Sequence, residues 1–183
     1  MMTGRGWREI RWLALAMALV AGTAQARVIA GVRLPDAINL QGKQLLLDHV
    51  DLKKMLFFEV YVWGLYLEHS PNSTQEAIDF QGPKQLQFHF RRSIKREHLV
   101  DGFRDFLSHN VMTRSPEMRQ YSEMLVHSLR GVRKGDTLLI TYLPDKGLLI
   151  SGDASRGALI PGKDFADALF TAWLKENPIY ERD

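Results

Sequence analysis

Arg91, Arg92, Lys95 and Arg96 lie close together where an alternating apolar segment gives way to a helical pattern. Cations at a helix start oppose its dipole, at roughly 0.3–1 kcal/mol each, and an anionic ligand or partner offsets that cost. The plainer alternative is an exposed face neutralised by Glu97 and Asp101. Lys53 and Tyr61 form a second pair to weigh. A lysine fixes an anion as a point charge, and a tyrosine hydroxyl can donate to the same group. Together they suit a carboxylate or a phenolate; the alternative is a core tyrosine and a solvated lysine. Trp63, Phe57, Phe58 and Tyr66 supply apolar surface either for a cleft or for ordinary core. The candidate ligand-binding residues are therefore Lys53, Tyr61, Trp63, Arg92 and Lys95.

Other chemistries find little support. His49, His69, His89, His98, His109 and His127 show no metal-ligand spacing on one helix, and there is no cysteine to help. No metal and no cofactor are expected. No glycine-rich phosphate loop occurs. Ser155 lacks the glycine two residues before it that a nucleophile elbow needs. The catalytic residues, if there are any, are not legible.

The elements that must position these groups follow from pattern. Residues 28–34 read as a strand stopped by Pro35, and 44–48 as a second after the turn Gln41-Gly42. Residues 56–68 (LFFEVYVWGLYLE) are rich in aromatic and β-branched side chains. Tyr61, Trp63, Leu65 and Leu67 fall on one face, and Val60, Val62, Gly64 and Tyr66 on the other. Both faces are apolar, so both should be covered. Gly64 marks a bend or a close approach by another segment. Ser73 and Glu76 make a capping-box pair opening a short helix to about Phe80. Residues 85–91 alternate, with Leu86, Phe88 and Phe90 inward.

Two helices follow. Ser93 is placed to cap the first, whose Leu99, Phe103, Phe106 and Leu107 share a face. Ser115 caps the second, Pro116 takes its first position, and Gly131 ends it. Residues 136–143 and 147–151 read as a hairpin, with a short strand near Leu159 and Ile160. A last helix runs from about 163 to 175, with Phe165, Leu169, Ala172 and Trp173 on one face. The alternation is too irregular for a doubly wound parallel sheet. The expected class is α+β, a large antiparallel sheet with helices against it.

The amino terminus reads as a secretory signal over residues 1–26. Arg5, Arg8 and Arg11 precede the apolar stretch 12–23, and Ala24-Gln25-Ala26 suits cleavage before Arg27. The apolar stretch is shorter than the roughly 20 residues of a spanning helix. The expected product is one domain over 27–183, without a transmembrane segment after cleavage, periplasmic or secreted. The chain has no cysteine, so it uses no disulfide and carries no lipidated cysteine. Its formal net charge is +3. Three arginines and one glutamate of that balance lie in residues 1–26, so the remainder is nearly neutral. That argues against a nucleic-acid partner, which calls for a concentrated basic face.

The run VYVWGLYLE (60–68), after Lys53-Lys54 and Phe57-Phe58, resembles the long central strand of chalcone isomerase-like proteins, in particular their exported bacterial branch. Gly31-Val32, Leu34-Pro35, Pro83-Lys84, Gly135-Asp136, Pro144 to Gly147, Gly162 to Phe165 and Trp173-Leu174 agree in order. The resemblance implies an open-faced β-sandwich with a ligand cleft between sheet and helices. It also implies one of two activities. Plant members close a ring in chalcones, and related proteins bind fatty acids or have no known catalysis. The catalytic members use an arginine before the central strand, a threonine on it, and a tyrosine and lysine near the helix after the next strand. Here the threonine position is Tyr61, and the arginine falls near Lys53 or Lys54. Residues 93–110 hold no tyrosine, and Lys95 and Arg96 are basic only at the start of that helix. The leading expectation is an exported, non-catalytic, lipid-binding type of protein for a small amphipathic ligand, such as a fatty acid or aromatic acid. The alternatives are an isomerase (an intramolecular lyase) with altered residues, Tyr61 as acid or orienter and Lys53 as stabiliser, and a structural or partner-binding envelope protein.

Overall fold

The computed structural model describes residues 26–180. The leader expected over 1–26 lies outside the described residues, apart from Ala26. The strands are β1 (Ala26–Ile29), β2 (Val32–Pro35), β3 (Ala37–Leu40), β4 (Lys43–Met55), β5 (Phe58–Leu67), β6 (Lys84–Phe90), β7 (Thr137–Leu143), β8 (Gly147–Ser151) and β9 (Ala158–Ile160). The helices are α1 (Thr74–Asp79), α2 (Arg96–Asn110), α3 (Pro116–Ser128) and α4 (Lys163–Glu176). Strands β3 to β9 form one antiparallel sheet in sequence order, and β1 and β2 form a separate hairpin. The helices cover one face of the large sheet. The fold is an open-faced β-sandwich of the α+β class.

Strand β5 shows why both its faces are apolar. Trp63, Leu65 and Leu67 enter the main core shared with the helices, and Tyr61 packs against it. Val62 and Tyr66 enter a second cluster with Leu34, Leu45 and Leu47. Gly64 lies where Leu34 crosses: a Cβ there would sit 2.7 Å from Leu34 Cδ2 and 3.0 Å from Leu47 Cδ1. Glycine is needed for the close approach. Because the obstructing atoms are side-chain tips that can shift, Gly64→Ala is expected to lower stability by only about 1–2 kcal/mol, measured by urea unfolding.

Four boundaries differ from the sequence reading. The segment read as one strand over 28–34 is the hairpin β1–β2. Ala30 and Gly31 take consecutive positive φ values of 49° and 74°, which reverse the chain in two residues. The strand read as 44–48 runs on to Met55 as β4. Its charged stretch Lys53-Lys54 projects with the hairpin tip into solvent, so no apolar alternation marks it. Ser93 does not cap α2. Ile94 and Val132 exchange backbone hydrogen bonds at 2.9 Å, which keeps the chain extended past Ser93. Lys95 becomes the N-cap, with no side-chain cap bond. Gly131, in turn, is no left-handed helix stop. It makes room, since a Cβ there would lie 3.0 Å from the Arg96 nitrogen.

Other caps form as expected. Ser73 Oγ accepts from the Glu76 N–H, and Ser115 Oγ from Met118 N–H, both at 3.1 Å. The Glu76 carboxylate accepts from the N–H of Asn72, not Ser73, so the box closes one residue early. At the far end of α1 an unforeseen group appears. Lys84 is fully buried. Its Nζ donates to the carbonyls of Phe80 (2.8 Å) and Ile78 (3.3 Å), and it stands 5.0 Å from the Phe170 ring centroid.

Candidate functional site

Between the sheet and α2 lies a cleft of about 880 Å³. Its floor is Tyr61 of β5 with Phe88 and Phe90 of β6. Leu99, Phe103 and Phe106 of α2 form the opposite wall, and Trp173 of α4 borders it. These positions on α2 are spaced by three and four residues, so one helix face lies along the cleft. The rings pack edge to face. Phe88 and Trp173 meet at 5.0 Å and 85°, Phe106 and Trp173 at 5.9 Å and 70°, and Tyr61 and Phe88 at 5.4 Å and 77°. Aromatic pairs in this geometry add to the energy of apolar burial. Phe88, Phe90 and Trp173 belong to the core as well, and Tyr61, Phe103 and Phe106 pack against it.

Polar side chains border this apolar surface, among them Lys53, Arg92, Lys95, His98, Asp105 and Glu176. Lys53 and Tyr61 are cross-strand neighbours in the β4–β5 register, and both border the cleft. Burial pushes the Tyr61 hydroxyl well above its ordinary pKa, and the carboxylates of Glu176 and Asp51 push the same way. The hydroxyl therefore stays protonated at neutral pH, a donor to any anion placed beside it. It has no hydrogen-bond partner among the described residues. The Arg92 guanidinium stacks over the Phe58 ring at 4.8 Å. Lys95 borders the cleft at the start of α2. At the carboxyl-terminal end of α2, Asn110 Nδ2 donates to Glu176 Oε1 at 2.6 Å and ties α2 to α4.

The basic cluster divides in two. Arg91 pairs with Glu59 at 3.1 Å, and Arg96 Nε donates to the Leu129 carbonyl at 2.9 Å. Arg92 and Lys95 have no carboxylate partner among the described residues. Neither Glu97 nor Asp101 neutralises them there. The fold thus brings Lys53, Tyr61, Arg92 and Lys95 to one cleft. Trp63 stands apart. It is 1 % exposed and lies beneath the wall, its ring 5.5 Å from that of Trp173. It supports the cleft without lining it. Tyr66 faces the other side of the sheet, where its hydroxyl donates to the Pro35 carbonyl at 3.0 Å. Phe57 projects into solvent. Phe88, Phe90, Phe103, Phe106 and Trp173 were read from sequence only as inward-facing positions. A cleft wall and a core face carry the same apolar pattern. Among the described residues there is no group of three His, Cys, Asp or Glu side chains suited to a metal, and no helix long and apolar enough to cross a membrane.

The chalcone isomerase-like family model matches residues 26–182. The chain belongs to the chalcone isomerase-like family. Among solved structures it is similar to an Arabidopsis thaliana fatty-acid binding protein, with a TM-score of 0.62 over 85% of this chain and 91% of that one. The two are 11% identical, which establishes a shared fold and nothing finer. No curated protein sequence matches significantly. In this chalcone isomerase-like chain, the resemblance puts the family's threonine position at Tyr61 and its arginine near Lys53 or Lys54, and Lys53 is the cross-strand neighbour of Tyr61. α2 supplies no tyrosine to complete the catalytic set.

Proposed function

We propose that this protein is exported and binds a small amphipathic acid, a fatty acid or an aromatic acid, without transforming it. One observation carries the reading: an aromatic cleft is bordered by Lys53, Arg92 and Lys95, none with a carboxylate partner among the described residues. Apolar surface holds the tail, and the cations with the Tyr61 hydroxyl hold the carboxylate. Charge-assisted hydrogen bonds of this kind are the strong ones. The cleft volume lies within the range of about 300–1,000 Å³ usual for small-molecule sites. The fatty-acid binding neighbour supports the same class of ligand. Export places the protein in the periplasm or outside the cell. Cell fractionation, with amino-terminal sequencing of the product, tests that; a product still starting at Met1 in the cytoplasm would sink it.

Native mass spectrometry of the purified protein is expected to show a co-purifying amphipathic acid. Displacement of a fluorescent long-chain fatty acid should then reveal saturable binding. The double change Lys53→Ala with Arg92→Ala is expected to weaken it by roughly tenfold to a hundredfold, from loss of charged hydrogen bonds. Equal affinity in the variant, or no binding by the parent protein, rules the reading out.

A second reading has one observation in its favour, the adjacency of Lys53 and Tyr61 in register. An intramolecular lyase with Tyr61 as proton donor would cyclise a chalcone, followed by absorbance, and Tyr61→Phe would abolish the change. A flat trace with the parent protein disposes of it for that substrate.

A further inference from the structure

The turn joining β4 to β5 is an apolar tip. Met55, Leu56, Phe57 and Phe58 are 64, 89, 96 and 57 % exposed. Exposed apolar side chains elsewhere, such as Val28 and Leu159, stand singly and need no explanation. Four in succession do. The backbone adds a second observation. Met55 pairs with Phe58, so the loop has two residues, and Leu56 takes a φ of +54°. Such loops favour asparagine or glycine, yet here two of the largest apolar side chains are held outward on a projecting hairpin.

Charge surrounds this tip. Lys53 and Lys54 precede it and are exposed. Arg92 stacks on Phe58 from the neighbouring strand end, and Lys95 lies nearby on the same cleft. Of the carboxylates on the two strands of the hairpin near its tip, Glu59 pairs with Arg91, and Asp51 accepts the N–H of Leu52. Apolar and aromatic side chains ahead of a collar of cations suit one kind of surface. The rings enter the acyl boundary of a bilayer while lysine and arginine reach anionic headgroups.

We propose that the β4–β5 hairpin docks this protein on anionic lipid bilayers, with Leu56 and Phe57 inserted. A second copy suits the tip less well. A stable interface needs roughly 800 Å² from each partner, more than these four side chains offer by themselves, and two such collars repel. Met55, Leu56 and Phe58 also border the cleft, so docking turns its mouth toward the lipid. Loading of an amphipathic acid from the bilayer is a consequence that rests on the reading above; the docking itself does not.

The test is cosedimentation of the purified protein with phosphatidylcholine vesicles, with and without phosphatidylglycerol. Phe57 and Lys54 lie outside the cleft lining, so variants there separate docking from ligand binding. Binding is expected to anionic vesicles and to fall with added salt. Phe57→Ser should weaken it by about tenfold or more, and Lys54→Gln by about fivefold. In Phe57→Trp, brominated lipid should quench the new indole, seen as quenching beyond that of the parent protein, while the buried Trp63 and Trp173 stay out of reach. Displacement of the fatty-acid probe without vesicles should be unchanged in Phe57→Ser. Equal partition of parent and Phe57→Ser, no partition of the parent, an unquenched indole, or self-association through the tip overturns the proposal.

Discussion

Trp173→Ala is expected to lower stability by about 3–5 kcal/mol, the usual cost of emptying a large aromatic site. Trp173 is 9 % exposed, and its ring meets Trp63, Phe88 and Phe106 edge-on within 5.9 Å. Those neighbours come from β5, β6 and α2, which the β-sheet and helix backbones hold apart. They cannot close the gap without moving whole elements. The indole Nε1 has no partner within the described structure, so its removal orphans no other group and the loss is one of packing. Urea unfolding should show a lower midpoint with an unchanged slope. The same change widens the cleft, and the affinity for a fatty-acid probe should fall with it. Trp173→Phe, which keeps a ring, should recover much of both. A stability loss below about 1 kcal/mol in Trp173→Ala would mean that this wall is not packed as described.

The second large effect concerns alkaline pH. Burial lowers the pKa of Lys84 to about 8, against the opposing pull of Asp167. The unfolded chain keeps the ordinary value of 10.5. Between those values the unfolded state binds the extra proton, so this group's contribution to stability rises with pH. Below about pH 8 the fold carries the full penalty of a buried ammonium; above 10.5 it carries none. The two pKa values differ enough that the swing amounts to about 3 kcal/mol. Lys84→Met isolates it, because all other groups titrate alike in both proteins. The variant loses the donor to the Phe80 and Ile78 carbonyls but also loses the buried charge. Relative to the variant, the parent should therefore gain about 3 kcal/mol between pH 7 and pH 11. Denaturant midpoints across that range check it. Parallel curves, or a parent that loses ground as pH rises, would show that Lys84 is not held as a desolvated cation.

Much of the sheet was legible because its signals are local. The two faces of β5, the hairpin β7–β8, the caps of α1 and α3 and the apolar stripe of α4 each follow from neighbours a few residues apart. So does the warning at Gly64, although only the fold shows that Leu34 is the segment pressing on it. Where local patterns misled, a distant partner was the cause. Ile94 is held extended by Val132, and that moves the start of α2 past Ser93. Lys53 and Lys54 sit in a strand because β5 folds back on them, not because of their own preference. Nothing beside Lys84 in the sequence marks it for burial; carbonyls at the end of α1 and the Phe170 ring of α4 enclose it.

The sequence by itself determined the class of the fold, the two apolar faces of β5 and the kinds of side chain available for holding an acid; the middle of the seven-stranded sheet is β6, not the aromatic-rich β5. Only the tertiary structure decided which of them meet. Lys53, Tyr61, Arg92 and Lys95 come to one cleft because strand register and the delayed helix start place them along it, while Trp63 goes beneath the wall and Arg91 and Arg96 are taken by Glu59 and Leu129. The physical reason is that periodicity tells which face a side chain occupies. Whether that face meets packed atoms or a hollow depends on segments far away in the chain.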